Sequence, residues 1–185
     1  MPLDNIAKML PENWQVQDYP NVWLGATVVN QAEADRDIPK LLAVPARVRF
    51  LSVEPMLGPI SLTNIQVGGG HGHHEFDPIV TGNALKRADP AAPSLRWVIC
   101  GGESGPKARP MRAAWAQSLR DQCDAAGVPF LFKQWGEWIG ADQAAGALAG
   151  TDEASPGAPS DYSVHIGKKA SGRLLDGRTH DGFPA

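Results

Sequence analysis

Four short apolar runs recur along this chain, and they constrain its fold more than any other feature of the sequence. They cover residues 21–29, 47–53, 95–100 and 128–135. The first of them is a continuous apolar run bounded by turn residues, which is typical of a strand buried on both faces of a parallel sheet. Two intervening segments, 31–44 and 110–126, repeat apolar side chains at helical spacing. This alternation predicts an α/β fold with parallel strands.

About four strands with flanking helices are too few for a closed eight-stranded barrel. The sequence therefore predicts either an open parallel sheet or a partial (β/α) barrel. We expect this domain over residues 1–139, with an inserted loop at 65–95 that is rich in Gly, His, Asp and Pro. The composition of residues 140–163 predicts a flexible linker. A C-terminal tail motif, 164–185, is expected to pack back on the barrel.

The two predicted helices carry recognisable end signals. Asn30 can cap the first helix, and Pro39 inside it predicts a kink or a break into two short pieces. The second helix is expected to begin at Pro110 and to stop at Gly127.

Composition excludes several classes of protein. The 17 Lys and Arg residues are outnumbered by 20 Asp and Glu, and the net charge of −3 does not indicate a nucleic-acid partner. No apolar run approaches the roughly 20 residues of a membrane span. Two cysteines, Cys100 and Cys123, are too few for a disulfide scaffold, a four-cysteine zinc site or a self-contained iron–sulfur site. We expect both to be buried and the protein to be cytoplasmic.

Polar residues follow the predicted strands, where parallel α/β folds gather their functional groups. Ser52 and Glu54 end the second strand and share a face because they are two residues apart. The third strand runs into a Gly-Gly pair that lets backbone approach a ligand closely. We therefore predict a small-molecule site with these candidates: Glu54, Gly101, Gly102, Glu103, Ser104, Lys133 and Gln134. The alternative is that the carboxylates pair with Lys or Arg and stabilise loops.

The inserted loop contains a second candidate site, the run HGHHE. Its imidazoles and carboxylate suit zinc or nickel, and the candidate ligands are His71, His73, His74 and Glu75. A defined metal site needs ordered ligands. Because no rigid element surrounds this run, the sequence favours a solvated loop that chelates metal adventitiously.

Several longer motifs resemble a known family. They read, in order, NVWLGATV, RVRFLSVEPMLGPISL, WVICGGESGPKARPM, WAQSLRDQCDAAGVPFLFKQWGEW and GKKASGRLLDGR. Together they resemble the C-terminal part of a phage-type protein family of uncharacterised function, whose members occur in phages, prophages and bacteria. The resemblance covers nearly the whole chain except 65–95 and 140–162.

Full-length members of that family look like radical S-adenosylmethionine enzymes, in which a cysteine-rich motif would ligate a [4Fe–4S] cluster. The resemblance implies that this chain lacks the N-terminal, cluster-bearing part of the barrel, and that it is not active alone. S-adenosylmethionine and the cluster are implied only for the full-length family. By analogy, the residues that would contact S-adenosylmethionine or the substrate are Glu54, Gly101, Gly102, Glu103 and Gln134.

Three functions stay open on the sequence. The first is the C-terminal half of a radical-SAM-like barrel, which works with a missing N-terminal half. The second is a non-enzymatic binding or interaction protein on a half-barrel scaffold, whose sheet edges are covered by a partner or a second copy. The third is a metal-dependent enzyme that uses the HGHHE loop with Glu54 or Glu103.

Overall fold

The computed structural model describes residues 6–16, 19–68, 80–86, 92–144 and 162–185. The strands in these ranges are β1 (Trp23–Thr27), β2 (Val48–Val53), β3 (Ile65–Gly68), β4 (Val80–Gly82), β5 (Trp97–Gly101), β6 (Phe130–Gln134), β7 (Trp138–Gly140) and β8 (Ser163–His165). The helices are α1 (Ile6–Met9), α2 (Gln31–Ala43), α3 (Ala113–Ala126) and α4 (Lys168–Ser171).

A parallel sheet with the strand order β1-β2-β5-β6 forms the centre of the molecule. All three neighbouring pairs run in the same direction, so the carboxyl ends of the four strands lie at one end of the sheet. The predicted α/β fold, with about four parallel strands and flanking helices, is confirmed. In the described residues the four strands do not close a barrel, as expected of either an open sheet or a partial (β/α) barrel.

The first predicted helix forms as α2, and two side chains accept hydrogen bonds from backbone N–H groups at its N-terminus. Asn30 Oδ1 accepts a hydrogen bond from Glu33 N at 3.0 Å, and Glu33 Oε2 accepts one from Val29 N at 3.0 Å. Of the kink or break expected at Pro39, the break is wrong, because one helix continues through this residue. Ile38 and Leu41 on either side are buried, and their packing holds the helix together across the proline.

The second predicted helix forms as α3, but it begins at Ala113 rather than at Pro110. The helix stops at Gly127, as expected. Gly127 adopts φ 67°, and its N–H bonds back to the carbonyls of Asp124 and Cys123. This left-handed conformation is the usual helix stop and favours glycine.

The segment expected as an inserted loop contains two strands within its described residues. β3 and β4 pair antiparallel, and β3 packs against α2. Ile65, Ala84 and Leu95 of this segment are buried in the core. The loop expectation is therefore corrected for residues 65–68 and 80–82: the strands are too short for their periodicity to be visible in the sequence.

The chain after β6 forms a small separate sheet and then returns to the edge of the central one. β7 pairs antiparallel with β8. Further on, Phe132 N donates to His180 O and Gly182 N donates to Phe130 O, both at 2.9 Å, so the last residues line the outer edge of β6. Trp135 is 1% exposed, and its Nε1 donates to Leu174 O at 2.7 Å. The tail thus covers one edge of the sheet, whereas β1 is the other edge.

The two faces of the sheet differ in how they are covered. The buried apolar side chains of α2 and α3 join one core cluster with those of the sheet, such as Leu51, Val98 and Phe132. Alternation along each strand places a second set of residues on the opposite face, which we call the open face. These are Trp23, Gly25, Thr27, Phe50, Ser52, Glu54, Trp97, Ile99, Gly101, Leu131 and Lys133. All of them except Gly101 are partly or fully exposed.

Aromatic rings fill the part of the open face toward the amino ends of the strands. Trp97 lies against Trp23, Phe50 and Phe183, with ring centroids 4.9 to 6.0 Å apart. The ring of Phe50 lies over Gly25, where a Cβ atom would come within 2.2 Å of Phe50 Cζ. Because the rings occupy this end, the hydroxyl and charged side chains of the open face lie toward its carboxyl end.

Candidate functional site

Glu54 follows directly after β2 and lies at the carboxyl end of the open face. Its Oε2 accepts a hydrogen bond from Ser52 Oγ at 3.1 Å. Lys133 Nζ lies 3.2 Å from Oε1 and 3.4 Å from Oε2. The Glu54 side chain is 19% exposed, and that of Lys133 is 58% exposed. The carboxylate is thus held by two partners while a ligand can still reach the pair from solvent.

Gly101 makes this ion pair possible. Lys133 lies on β6 and Glu54 follows β2, so the pair spans β5, the strand between them. A Cβ atom on Gly101 would lie 2.6 Å from Glu54 Oε1, in the space that the carboxylate occupies. The register between β5 and β6 also shifts here: Cys100 pairs with Phe132 and Gly101 with Gln134. This leaves Lys133 as the extra residue of a β-bulge, a feature that re-aims side chains beside functional sites.

Gly102 has a packing role instead. Its N–H donates to Gln134 O at 2.9 Å. A Cβ atom on Gly102 would lie 1.7 Å from the carbonyl oxygen of Trp135. Backbone therefore occupies the position that a ligand would need. Nearby, Gln134 Nε2 donates to Ser104 Oγ at 3.0 Å, so these two candidates contact each other.

Glu103 is engaged by a cation that the sequence analysis did not single out. Arg109 donates from Nη2 to Oε1 at 2.7 Å, from Nε to Oε2 at 2.8 Å and from its backbone N to Oε2 at 2.7 Å. The hydrogen bonds from the Arg109 side chain and backbone lower the pKa of Glu103 to about 2. Both oxygens are occupied, so Glu103 braces the loop that follows β5, here called the rim loop (103–109).

The rim loop has a second carboxylate partner, Glu137, which the sequence analysis also missed. Glu137 Oε1 accepts from Gly105 N at 3.0 Å, and Oε2 accepts from Lys168 N at 3.3 Å. The hydrogen bond from Gly105 N is the largest cause that lowers the pKa of Glu137. Its position shortly after β6, at the carboxyl end of the sheet, was the available signal in the sequence.

The predicted site residues therefore fall into separate contacts at one end of the sheet. Ser52, Glu54 and Lys133 form one group around Gly101. Gln134 and Ser104 form a second, and Glu103 is committed to Arg109. The sequence places all of these residues at strand ends, but only the tertiary contacts show which of them meet.

Both cysteines are buried, as expected, and neither forms a disulfide. Burial is the main cause that raises the pKa of each thiol, that of Cys123 to about 12. Cys100 Sγ contacts Met56 Sδ at 3.7 Å. Buried neutral thiols of this kind are poor metal ligands and poor nucleophiles.

The HGHHE candidates, His71, His73, His74 and Glu75, lie outside the described residues. Within the described ranges, no group of three or more His, Cys, Asp or Glu residues is placed to hold a metal ion. The same ranges contain no helix that is long and apolar enough to cross a membrane.

Comparison with known proteins gives one family. The model of a family described as "Protein of unknown function (DUF5131)" matches residues 3–184. No curated protein and no solved structure matches the chain.

Proposed function

The chain belongs to the family described as protein of unknown function (DUF5131), and from this premise we propose that it is the ligand-holding part of a phage-type, radical-SAM-like barrel. The observation that carries this proposal is the Glu54–Lys133 pair, at the carboxyl ends of four parallel strands and on the open face. Ligands of (β/α) barrel enzymes bind at that end of the strands. A small molecule bound here would contact a carboxylate, an ammonium group and a hydroxyl.

The hydrogen-bonding groups around Glu54 fit S-adenosylmethionine. This molecule carries an ammonium group, a carboxylate and ribose hydroxyls, and when bound it supplies a group activated by its sulfonium charge. Glu54 would accept hydrogen bonds from the ammonium group or the hydroxyls. Lys133 would donate to the carboxylate, and the missing side chain of Gly101 leaves room for Glu54 itself at this position. Gln134 and Ser104 lie beside this position at the end of the sheet.

The residues of this sequence do not fit a [4Fe–4S] cluster. Such a cluster needs several closely spaced thiolates. The chain has two cysteines, Cys100 and Cys123, both fully buried with raised pKa values. We therefore expect this chain to have no radical activity by itself. In this proposal, any cluster belongs to another polypeptide or to another part of a longer protein.

Calorimetric titration with S-adenosylmethionine tests this function. The wild-type chain is expected to bind it, and Glu54→Gln is expected to weaken binding by at least about tenfold, since a hydrogen bond to a charged group is lost. Glu12→Gln, which changes an exposed glutamate outside the site, is the matched control. Absence of binding to the wild-type chain contradicts the assignment of S-adenosylmethionine. Equal affinity of wild type and Glu54→Gln contradicts the role of Glu54.

A second candidate function is a non-enzymatic interaction protein, favoured by the open face and by β1 as an edge strand. Parallel sheets are almost always covered on both faces. Natural edge strands are commonly guarded by charged residues or proline, and Trp23–Thr27 contains neither. In this case a second copy of the chain covers these surfaces. Size-exclusion chromatography with light scattering tests it: a dimer supports self-association, and a stable monomer contradicts it.

We also propose a cytoplasmic location. The two cysteines are free rather than paired, which suits a reducing compartment.

A further inference from the structure

The outer edge of β1 presents backbone groups that have no partner in the described chain. Val28 N donates to Ser52 O at 3.0 Å, so the even-numbered residues of this segment bond to β2. Because hydrogen-bonding directions alternate along a strand, Trp23, Gly25 and Thr27 point their N–H and C=O groups away from the sheet. Within the described residues no strand lies beyond β1, and none of these outward groups makes a hydrogen bond. This edge can therefore accept one further strand.

The composition of this edge suits an uncharged partner strand. Residues 19–30 include no Asp, Glu, Lys or Arg, so the edge neither attracts a charged segment nor repels a second copy of itself. Natural edge strands commonly carry such charges, which prevent pairing with another copy. Thr27 is exposed and Gly25 is partly exposed, so a strand can approach both. An antiparallel edge strand on an otherwise parallel sheet is a common arrangement.

The outward residues of β1 match those of a second copy in one register. Around a two-fold axis, two copies of β1 run antiparallel, and each contact is made twice. With Gly25 opposite Gly25 of the second copy, Trp23 lies opposite Thr27, so every outward residue faces another outward residue. Each such pair exchanges two hydrogen bonds. Any other register pairs fewer of the outward residues.

The side chains on the open face also fit this register. The Trp23 ring lies against Trp97 and Phe183, with ring centroids 6.0 and 5.2 Å away, and these contacts fix its position beside the edge. The smaller Thr27 of the second copy would lie opposite this ring. An aromatic and a β-branched residue directly opposite each other stabilise an antiparallel pair. At the centre, the two Gly25 residues bring no side chains into contact.

We propose that two copies of this chain associate through β1, which pairs antiparallel about a two-fold axis at Gly25 and joins the two central sheets into one. This inference rests on the second candidate function and deepens it, because it places self-association at the β1 edge and fixes the register. A two-fold axis perpendicular to the sheet keeps both open faces on the same side. No residue of β1 belongs to the Glu54–Lys133 pair, so dimerisation and S-adenosylmethionine binding are tested separately.

Amide hydrogen exchange followed by NMR tests this interface, on the full chain at two concentrations about a hundredfold apart. Light scattering is expected to show a dimer at the higher concentration. The amides of Trp23, Gly25 and Thr27 should then exchange at least about tenfold more slowly than at the lower concentration, because they gain acceptors. The amides of Leu24 and Ala26 bond to β2 in either state, so their exchange should change less. An alternating pattern along β1 is therefore the expected result.

Thr27→Pro is the variant that should prevent this association. Proline removes the outward N–H of Thr27, and the ladder to β2 keeps its hydrogen bonds because that N–H does not face β2. The variant is expected to fold and to stay monomeric at the higher concentration. Thr27→Ser keeps the N–H and is the control, which should dimerise like the wild-type chain. The exchange pattern of the wild-type chain is measured independently of both variants.

The outcomes separate this interface from the function on which it rests. A dimer in which the Trp23, Gly25 and Thr27 amides exchange equally fast at both concentrations overturns the β1 interface and leaves self-association through another surface. A dimer that persists in folded Thr27→Pro does the same. Equal slowing of all five β1 amides indicates general stabilisation and also contradicts the interface. A monomer at both concentrations overturns the interface and the second candidate function together.

Discussion

Gly101 and Gly102 are neighbours in the chain, but a Cβ atom added to each would meet different atoms. The missing side chain of Gly101 leaves room for a carboxylate, whereas that of Gly102 leaves room for the backbone of Trp135. A flexible carboxylate can move away from an added methyl group, and packed backbone cannot. The first glycine therefore shapes the candidate site, and the second maintains the fold.

Alanine at these two positions is expected to have unequal effects. Gly102→Ala should lower the free energy of unfolding by about 3 kcal/mol, because its Cβ would lie 1.7 Å from Trp135 O. Gly101→Ala should cost less than about 1.5 kcal/mol while displacing Glu54. Urea unfolding measures both. Gly58→Ala, whose Cβ would make an ordinary 3.6 Å contact with Asn30 Cβ, is the control. Equal losses at Gly101 and Gly102 would contradict this assignment.

Glu103 gives the stability of the fold a pH dependence at the acidic end. Its pKa in the folded chain is about 2, below the ordinary value of 4.5. A lowered folded-state pKa stabilises the fold above pH 4.5, and this stabilisation is lost as the pH falls toward 2. Glu103→Gln should therefore melt below the wild-type chain at pH 7, and the difference should disappear near pH 2. Melting curves across this range measure it. A difference that does not change with pH would contradict an ionic role.

At the scale of elements, local signals in the sequence decide where α2 begins and where α3 ends. Asn30 and Glu33 satisfy N–H groups at the start of α2, and Gly127 ends α3. Pro39 shows the limit of such signals: proline removes one hydrogen bond, but burial of the neighbouring apolar residues keeps the helix continuous.

Removal of the Asn30 cap of α2 is expected to lower the stability of the fold by a measurable amount. Asn30→Ala should lower the free energy of unfolding by about 1 kcal/mol, because Glu33 N loses its acceptor. Asn30→Asp keeps an acceptor at the same position and should stay within about 0.5 kcal/mol of wild type. Denaturant unfolding distinguishes the two variants. Equal stability of Asn30→Ala and wild type would show that the cap does not contribute.

At the scale of the whole molecule, the two edges of the sheet differ in whether another segment covers them. The tail covers β6 through hydrogen bonds at Phe132 and Gly182, and Trp97 Nε1 donates to Gly182 O at 2.8 Å. β1 is the opposite edge, and beside it lies the open face. Within the described ranges, β1 and the part of the open face that Phe183 does not cover are contiguous.

Displacement of the tail should expose β6 specifically. A Cβ atom at Gly182 would lie 2.6 Å from both Phe130 N and Phe130 O, so Gly182→Ala is expected to release this segment. The amide of Phe132 should then exchange with solvent at least about tenfold faster, while that of Leu51 in β2 changes less. Hydrogen exchange measures this, with the exposed Thr179→Ala as control. Equal acceleration at both amides would instead indicate general destabilisation.

The sequence by itself determined the elements of the parallel sheet, because apolar periodicity, caps and stop residues are encoded within a few neighbouring positions. It also placed the polar residues at strand ends, since each directly follows an apolar run. Which of those residues meet was decided only by tertiary structure. Lys133 reaches Glu54 across 79 residues of chain through strand order, a β-bulge and the missing side chain of Gly101. Contacts between distant segments depend on how strands are ordered and registered, and a local pattern carries no information about either.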